Sequence, residues 1–331
     1  MKPIIGITMG DAAGVGPEII IKALSDTTIY DTCRPLVIGD ASIMSRELTN
    51  LNSNLTLHCI TTPNEALFTK DTIDLIDLNL LTANLAYGEV SAAAGNAAFR
   101  YLEKAIDLAK NNEISAICTA PLNKEALHKG GHLYPGHTEI LADLTQTTDF
   151  SMMLATPDMK VIHLTTHMGL IEAIQSITPE RTYSVIKLGY NTLLKSGLAS
   201  PKIAVCGINP HAGENGLFGN DEEGKQLLPG IERAQAEGID VIGPLPADTL
   251  FYRAGRGDFD LVVACYHDQG HTPVKVLGIE SGVNITVGLN YGVIRTSVDH
   301  GTAFDIAGEN KANGESMIAA IQSAIELSPI V

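Results

Sequence analysis

Residues 3–18 read PIIGITMGDAAGVGPE, a short apolar run that leads through a glycine-rich turn into the start of a helix. Pro17 stands where the first helical residue is expected, a position that favours proline. Outward from this stretch, further apolar runs bounded by turn residues alternate with helical patterns along the chain. The clearest runs are Leu36–Ile38, Ile114–Ala120, Met159–Thr165, Ile203–Ile208, Leu261–Tyr266 and Val283–Val287. This alternation is typical of strand-helix-strand units and predicts an α/β protein with parallel sheets.

Helical periodicity is strongest in two segments, Ala92–Leu108 and Ser316–Leu327. In the first, Phe99, Leu102 and Ile106 fall on one face and predict a buried stripe. The chain has 331 residues, of which 45% are hydrophobic, so it can form one large domain or two of ordinary size. No repeat, low-complexity tract or linker marks a boundary, so composition alone leaves the number of domains open.

The composition argues against several classes of protein. A net charge of −16 disfavours a nucleic-acid partner, because such partners are bound through Lys and Arg. No apolar run approaches the roughly 20 residues of a transmembrane helix, and the first residues lack the pattern of a signal peptide. The 5 cysteines form no C-x-x-C pair, and Cys118, Cys206 and Cys265 lie in strand-like runs, as buried thiols of a reducing compartment do. We therefore expect a cytoplasmic protein with no membrane partner.

The glycine-rich turn from Gly10 to Glu18 admits two interpretations. Backbone amides at a helix start attract anions, which favours a ligand site. The glycine spacing, however, matches neither the G-x-G-x-x-G fingerprint nor the P-loop. A tight connection between a strand and a helix explains the residues equally well.

Histidines stand just after apolar runs at His137, His167, His211 and His267, each beside glycine, proline or a polar residue. The carboxyl ends of parallel strands carry the chemistry in many α/β enzymes. One such histidine is compatible with a structural role, but several at equivalent strand ends favour a shared metal or catalytic site.

Two histidine pairs have the i, i+4 spacing of zinc-binding helices, His163 with His167 and His267 with His271. Neither pair is predicted to lie in a helix, and in an extended chain of about 3.3 Å per residue such partners lie about 13 Å apart, too far to share one ion. His167, at a strand end, is the better ligand candidate of the first pair. His267 is favoured over His271, because Gly270 is expected to break a helix between them.

Two carboxylates beside these histidines are candidates for acid-base catalysis, Asp248 and Asp268. For Asp248, an N-cap of the following helix is an equally good interpretation. Near the C-terminus, Gly301 and Gly308 permit close backbone approach, and Asp305 can accept hydrogen bonds from a ribose diol. The residues alone are also compatible with a plain loop between helices.

Taken together, these motifs resemble the 4-hydroxythreonine-4-phosphate dehydrogenase family over essentially the whole chain. The matching segments, in order, are Met9–Glu18, Ala120–Lys124, Gly136–Glu139, Thr165–His167, Asn209–Glu214, Pro246–Thr249, Tyr266–Gly270, Gly282–Thr286 and Arg295–Ala303. The resemblance implies the fold of isocitrate and isopropylmalate dehydrogenases, in which two α/β/α lobes surround a central cleft. It implies a cofactor-binding lobe of residues 1–125 and 280–331, and a lobe of residues 126–279 for metal, substrate and dimerisation.

The resemblance also implies roles for individual residues. The metal ligands would be His167, His211 and His267, holding one divalent ion (Zn, Mg, Mn, Co or Ni) in a site completed across a homodimer. The substrate-binding residues would be His137, Thr138, Lys275, Asn284 and Arg295. The segment from His300 to Asn313 is similar to the adenine-binding loop of isopropylmalate dehydrogenase, which implies NAD binding by Gly301, Thr302, Ala303, Asp305, Ile306 and Asn313. Asp248 and Asp268 keep the acid-base role.

The family contains branches with different substrates. One acts on 4-phosphohydroxy-L-threonine. The segments Asn123–His128, Tyr134–His137 and Asn215–Gly219 are more similar to a branch that oxidises 4-phospho-D-threonate or 4-phospho-D-erythronate, with later loss of CO₂. A third branch oxidises an aromatic cis-dihydrodiol without phosphate, so the resemblance does not fix the substrate. A non-enzymatic anion- or metal-binding protein, and an acyl- or phosphotransferase, remain alternatives of other classes.

The chain departs from the family pattern at two places. Ala12 replaces a proline, which is expected to change only the rigidity of the turn. The run from Gly288 to Arg295 is longer than usual, which leaves the position of Arg295 open.

Overall fold

The computed structural model describes residues 2–278 and 281–328, which divide into two compact units. The first unit holds residues 2–148 and 289–328, and the second holds 149–278 and 281–288. The division expected from the sequence, at 125/126 and 279/280, differs at both ends. Residues 126–148 belong to the first unit because their helices pack on its long helix, Ala92–Lys110. Residues 283–287 belong to the second because they form a strand of its sheet.

The first unit contains a parallel sheet in the order β3-β4-β2-β1-β5-β12. Its strands are β1 (Ile4–Thr8), β2 (Arg34–Gly39), β3 (Thr56–Ile60), β4 (Thr72–Asp77), β5 (Ala116–Thr119) and β12 (Arg295–Val298). Its central strands are almost entirely buried, with Ile5, Ile7 and Leu36 at 0% exposure. Strands covered on both faces read as continuous apolar runs, which is why the sequence pattern found them.

The helices of the first unit are α1 (Gly16–Leu24), α2 (Ile29–Thr32), α3 (Ala41–Asn50), α4 (Ala92–Lys110), α5 (Lys124–Lys129), α6 (His137–Leu144) and α12 (Glu315–Leu327). Short 3₁₀ turns occupy Pro63–Glu65 and Asn290–Gly292. Ser91 is the N-cap residue of α4, and its side chain accepts a hydrogen bond from the Ala94 amide. It buries Phe99, Leu102 and Ile106, which confirms the predicted apolar stripe.

The second unit contains a mixed sheet in the order β11-β6-β7-β10-β8-β9. Its strands are β6 (Ser151–Thr156), β7 (Met159–His163), β8 (Ile203–Cys206), β9 (Val241–Leu245), β10 (Leu261–Ala264) and β11 (Val283–Val287). Strand β6 is antiparallel to both β7 and β11, so the expectation of purely parallel sheets was wrong here. Only residues 157–158 separate β6 from β7, and so short a connection permits only an antiparallel pair.

The helices of the second unit are α7 (Leu170–Ser176), α8 (Pro179–Lys195), α9 (Leu228–Ala236), α10 (Ala247–Ala254) and α11 (His267–Gly278). A 3₁₀ segment spans Pro210–Gly216 and a π-turn spans Glu223–Leu227. Strands β7, β10, β8 and β9 are parallel neighbours, so their carboxyl ends meet at one edge of the sheet. The segments that follow these strands carry most of the candidate residues of this unit.

Cys118, Cys206 and Cys265 are buried free thiols, as the sequence predicts. Across residues 2–278 and 281–328, no helix has both the length and the apolar character needed to cross a membrane.

Candidate functional site

His167 and His267 lie side by side at the carboxyl edge of the second sheet. His167 follows β7 and His267 opens α11 directly after β10, and these strands are paired in register. Their ring centroids are 5.7 Å apart. Parallel pairing of the strands therefore brings these two predicted metal ligands together.

A pocket of about 340 Å³ contains both histidines. Its wall consists of Thr166, His167, Met168, Leu170, Ala173, Tyr266, His267 and Asp268. Imidazole and carboxylate groups thus stand on a largely apolar lining, the composition typical of small-molecule sites.

Hydrogen bonds to carboxylates fix the rings of His267 and His211. Nδ1 of His267 lies 2.7 Å from Oδ1 of Asp268, and Nδ1 of His211 lies 3.1 Å from Oε2 of Glu214. Because an ionised carboxylate only accepts, Nδ1 donates in both rings, and Nε2 of each neutral ring carries the lone pair. Metal-binding histidines are usually held in this way, so each of these two rings has the tautomer that a metal ligand needs.

The loop that carries His211 has an unusual backbone. From His211 to Asn215 every φ angle is positive (52°, 53°, 78°, 40° and 57°), although only Gly213 is glycine. This left-handed conformation costs roughly 1–2 kcal/mol for each non-glycine residue, so other contacts must stabilise the loop.

Glu223 supplies these stabilising contacts. Its Oε1 accepts hydrogen bonds from the amides of Ile208 (2.9 Å) and Asn209 (2.6 Å), and its Oε2 accepts one from Nδ2 of Asn209 (3.0 Å). A Cβ at Gly213 would lie 2.9 Å from Oε2, so glycine lets the loop approach this carboxylate. Sequence analysis missed Glu223, because its partners lie more than ten residues away and no motif marks it.

His211 has a different ring neighbour from the other two histidines. Its ring makes an edge contact with Phe218, at 6.1 Å between centroids. Within the residues that the structure describes, no three His, Cys, Asp or Glu side chains are grouped as metal ligands. The three-histidine site therefore stays a prediction, supported by the paired His167 and His267.

The expectation that Gly270 breaks the helix between His267 and His271 was wrong. Both histidines lie on α11, one turn apart, with their rings stacked at 3.8 Å and an interplanar angle of 11°. Gly270 is buried within this helix because the ring of His163 occupies the space where a Cβ would project. Glycine serves close packing here rather than helix termination.

The acid-base candidates have different surroundings. Asp248 is exposed in the first turn of α10, where Pro246 holds the N-cap position, so the capping interpretation of Asp248 was wrong. At this position the positive end of the helix dipole stabilises the negative charge of the Asp248 carboxylate. The side chain of Asp268 is 83% exposed and binds His267, which gives it an orienting role beside any acid-base role.

In the first unit, Arg295 is a buried cation whose charge acts on the half-buried ring of His137. Nε and Nη2 of Arg295 donate to Oγ1 of Thr119 at 3.1 and 2.7 Å, and the residue is 4% exposed. Burial lowers the pKa of Arg295 to about 10, so the guanidinium stays charged at neutral pH. Burial, and next the charge of Arg295, hold the pKa of His137 well below its usual value. His137 and Thr138 begin α6, where backbone amides point outward.

The run before Arg295 contains a short turn that is held by hydrogen bonds. The turn Asn290–Gly292 packs on residues 145–147, with the Asn290 amide donating to Oγ1 of Thr147 at 2.8 Å. The chain then enters β12 with Arg295 in register with Ile117 of β5.

The remaining predicted substrate residues belong to the second unit. Lys275 lies on α11, and Asn284 lies in β11 with its Nδ2 donating to Sδ of Met152 at 3.0 Å. In the described part of the chain, Oδ1 of Asn284 is buried without a hydrogen-bond partner. A buried acceptor without a partner can receive a hydrogen bond from a donor group of a bound ligand.

The predicted cofactor segment docks on the glycine-rich turn. The Val15 amide donates to the carbonyl oxygen of Thr302 at 3.0 Å, and a Cβ at Gly14 would lie 2.7 Å from that oxygen. Further along, the Ala312 amide donates to Oε1 of Glu18 at 2.9 Å. The turn that the sequence left ambiguous thus supports the segment 300–313.

Within that segment, the predicted cofactor residues form a chain of turns. Ala303 has a φ of 44°, and its carbonyl accepts from the Ile306 amide at 3.1 Å. Asn313 accepts from the Glu315 amide at 3.3 Å, before α12. Gly301 and Asp305 are exposed, so both remain accessible to a ligand.

A family model described as "Pyridoxal phosphate biosynthetic protein PdxA" matches residues 31–324 of the chain. The chain belongs to the PdxA family. This confirms the resemblance drawn from the ordered motifs. A D-threonate 4-phosphate dehydrogenase of Cupriavidus necator is 59% identical, over 98% of this chain and 97% of that protein.

Solved structures agree with this assignment. A 4-hydroxythreonine-4-phosphate dehydrogenase from Burkholderia phymatum is 56% identical with a TM-score of 0.93, covering 100% of both chains. A terephthalate 1,2-cis-dihydrodiol dehydrogenase from Burkholderia xenovorans is 29% identical with a TM-score of 0.73, also covering 100% of both chains. A β-decarboxylating dehydrogenase from Thermococcus kodakarensis, 14% identical with a TM-score of 0.50 over 98% of this chain and 82% of that one, shows the same fold class. The predicted α/β dehydrogenase fold of this PdxA-family chain is thereby confirmed.

Proposed function

We propose that this protein is an NAD-dependent, divalent-metal-dependent dehydrogenase of a 4-phosphorylated four-carbon hydroxy acid, with D-threonate 4-phosphate as the first candidate. The observation that carries the proposal is the pair of imidazoles in the 340 Å³ pocket, one of them oriented by a carboxylate. The 59% identity to a protein named for D-threonate 4-phosphate supports the substrate. The β-keto acid product would then lose CO₂.

His167, His211 and His267 are the residues that would hold the metal, through Nε2 in the case of His211 and His267. A divalent ion, when bound, would supply Lewis-acid polarisation of the substrate hydroxyl, and NAD would supply the hydride acceptor. Asp268 keeps the His267 ring in the tautomer that can bind a metal. Asp248, exposed after β9, is then the better candidate to accept the hydroxyl proton.

The charged ends of the substrate need cations that stay charged. Arg295 satisfies this condition, because its pKa of about 10 lies above the physiological range. Its guanidinium can bind a carboxylate or phosphate through a bidentate fork, and Lys275 offers a second cation. The orphaned Oδ1 of Asn284 can accept a hydrogen bond from a substrate hydroxyl.

The segment 300–313 is proposed to bind NAD. The hydrogen bonds of its backbone to Val15 and Glu18 hold it in place before any cofactor binds. The exposed carboxylate of Asp305 can accept hydrogen bonds from both ribose hydroxyls and repels the 2′-phosphate of NADP.

A homodimer is part of this proposal. Large apolar side chains are exposed near the histidine pocket, including Met168 (43%), Leu170 (59%) and Ile171 (76%). A cluster of exposed apolar side chains is typical of a protein–protein interface.

The test is a substrate panel assayed for NADH absorbance with NAD and a divalent metal. We expect the highest kcat/KM with D-threonate 4-phosphate, a lower value with 4-phosphohydroxy-L-threonine, and little turnover of D-threonate or a cis-dihydrodiol. Equal efficiency with and without phosphate would instead favour the dihydrodiol branch. Absence of NADH with every substrate would contradict the dehydrogenase proposal and leave a binding protein or a transferase.

A further inference from the structure

Behind His267 lies a buried pair of histidines outside the predicted metal set. His163, the last residue of β7, is 0% exposed, and His271 on α11 is 5% exposed. Nδ1 of His271 lies 3.1 Å from Nε2 of His163. Two imidazoles in direct contact within a core need a defined arrangement of protons.

The surrounding hydrogen bonds define that arrangement. Nδ1 of His163 lies 3.2 Å from the carbonyl oxygen of Met152, which can only accept, so this nitrogen donates. Burial lowers the pKa of His163 to about 3, so the ring is neutral and its Nε2 accepts. Nδ1 of His271 must then donate to it. That nitrogen is also 3.2 Å from the carbonyl of His267, which is again an acceptor.

The backbone is shaped to bring these rings together. The ring of His163 passes over Gly270, and a Cβ there would also lie 2.8 Å from Cγ1 of Val161 and 2.9 Å from Cβ of Ala264. Glycine at this position therefore lets α11 pack directly on β7 and β10. Only then can His163 reach the second turn of the helix.

Ring stacking joins the His163–His271 pair to His267, the candidate metal ligand. The ring of His271 lies parallel to that of His267, at 3.8 Å between centroids. A continuous series of contacts therefore runs from the Met152 carbonyl in β6 through His163 and His271 to His267. Rotation of the His267 ring away from its orientation would break the stack.

We propose that His163 and His271 are positioning residues, whose hydrogen-bonded pair sets the ring plane of His267 and so strengthens metal binding at its Nε2. Asp268 holds the exposed edge of the same ring and the histidine pair holds its buried face. This inference rests on the proposed function, because it takes His267 to be a metal ligand.

The first experiment measures the affinity of the metal-free protein for Co²⁺ and Zn²⁺ by calorimetry, which does not depend on turnover. His163→Leu removes the acceptor for His271 and should weaken metal binding by about 10–100-fold, the usual effect of losing an outer-sphere partner. His163→Gln offers an amide that can donate to Met152 and accept from His271, so most of the affinity should return. His132→Leu is the matched control, because His132 lies in the first unit, stacked on Phe99 at 3.7 Å.

The second experiment determines which ring nitrogen of His163 and of His271 carries the proton. Nitrogen-15 spectra of histidine in the metal-free parent protein should show the Nδ1–H tautomer for both His163 and His271. An Nε2–H tautomer in either ring overturns the inference, even if His163→Leu fails to fold.

The results of these experiments distinguish the positioning role of His163 and His271 from the proposed function of the protein. If the parent binds a divalent ion and His163→Leu binds it equally well, the positioning role is wrong while the proposed function stands. If the parent binds no divalent ion, the proposed function fails, and the positioning role fails with it.

Discussion

Glu223 holds Asn209 at the base of the His211 loop, with its Oε1 2.6 Å from the Asn209 amide nitrogen. The same carboxylate binds the Ile208 amide and the Asn209 side chain. The loop beyond it is left-handed over five consecutive residues, so its conformation depends on this buried anchor.

Replacing Glu223 by Ala should therefore disturb both stability and metal binding. Loss of hydrogen bonds to a charged acceptor should lower the free energy of unfolding by about 2–3 kcal/mol, measured in urea. The affinity for Co²⁺ should fall as well, because His211 loses its support. Glu222→Ala is the control, since Glu222 binds the Asn209 side chain but neither backbone amide. Equal metal affinity in the parent and Glu223→Ala would separate the loop from the metal site.

Replacing Lys275 tests whether this residue binds the phosphate of the substrate. Lys275→Met should reduce kcat/KM for D-threonate 4-phosphate by a factor corresponding to about 1.5–3 kcal/mol, the range for a charged hydrogen bond. If Lys275 binds the phosphate, the variant and the parent should differ little with dephosphorylated substrate. Lys195→Met, at the exposed end of α8, serves as the control. A reduction that is the same for both substrates would place Lys275 elsewhere.

The raised pKa of Asp11 predicts that the stability of the protein depends on pH. Burial raises its pKa from 3.8 to about 6, and in the described structure its Oδ2 has no hydrogen-bond partner. Between about pH 4 and pH 6 the unfolded chain has lost this proton while the folded protein keeps it. The contribution of Asp11 to stability therefore falls as the pH rises through this window, by up to about 3 kcal/mol.

Asp11→Asn should remove that contribution, because an amide does not ionise and can still accept from the Ala13 amide. The Tm of the variant relative to the parent should rise from pH 4 to pH 7. Asp158→Asn, in an exposed turn, should show no such trend. Parallel curves of Tm against pH for Asp11→Asn and the parent would show that the carboxyl is not perturbed.

Cofactor preference tests Asp305. Asp305→Asn should weaken NAD binding and reduce the penalty against NADP, because the amide does not repel the 2′-phosphate. The ratio of kcat/KM with the two cofactors measures the effect. Glu309→Gln, in the same segment but paired with Lys311, is the control. An unchanged ratio in Asp305→Asn would remove this residue from the cofactor site.

Local patterns in the sequence located most of the buried strands and the residues at their ends, but they did not mark β4, β6 or β12. The buried runs of β1, β5, β7, β8, β10 and β11 were recognisable because continuous apolar residues mark covered strands. The positions of His167 and His267 after β7 and β10 followed from that pattern. Their proximity then required only that the strands be parallel neighbours.

Contacts between distant residues could not be predicted in this way. The docking of Thr302 on Gly14, the anchoring of Asn209 by Glu223 and the pairing of His163 with His271 each depend on packing. Gly270 shows the difficulty, because glycine in a helical pattern predicts a break unless the facing ring is known. The edge strands β3 and β9, with half-exposed residues, also gave no clear apolar run.

Metal-dependent oxidation can be measured with metal-free protein, NAD and D-threonate 4-phosphate. The initial rate of NADH formation should be near zero without metal and should return when Zn²⁺, Co²⁺, Mn²⁺, Ni²⁺ or Mg²⁺ is added. His167→Ala, His211→Ala and His267→Ala should each lose most bound metal and stay inactive after addition, whereas His132→Ala should respond like the parent. Full turnover by the metal-free parent, or full metal occupancy and a near-native rate in all three site variants, would contradict the account.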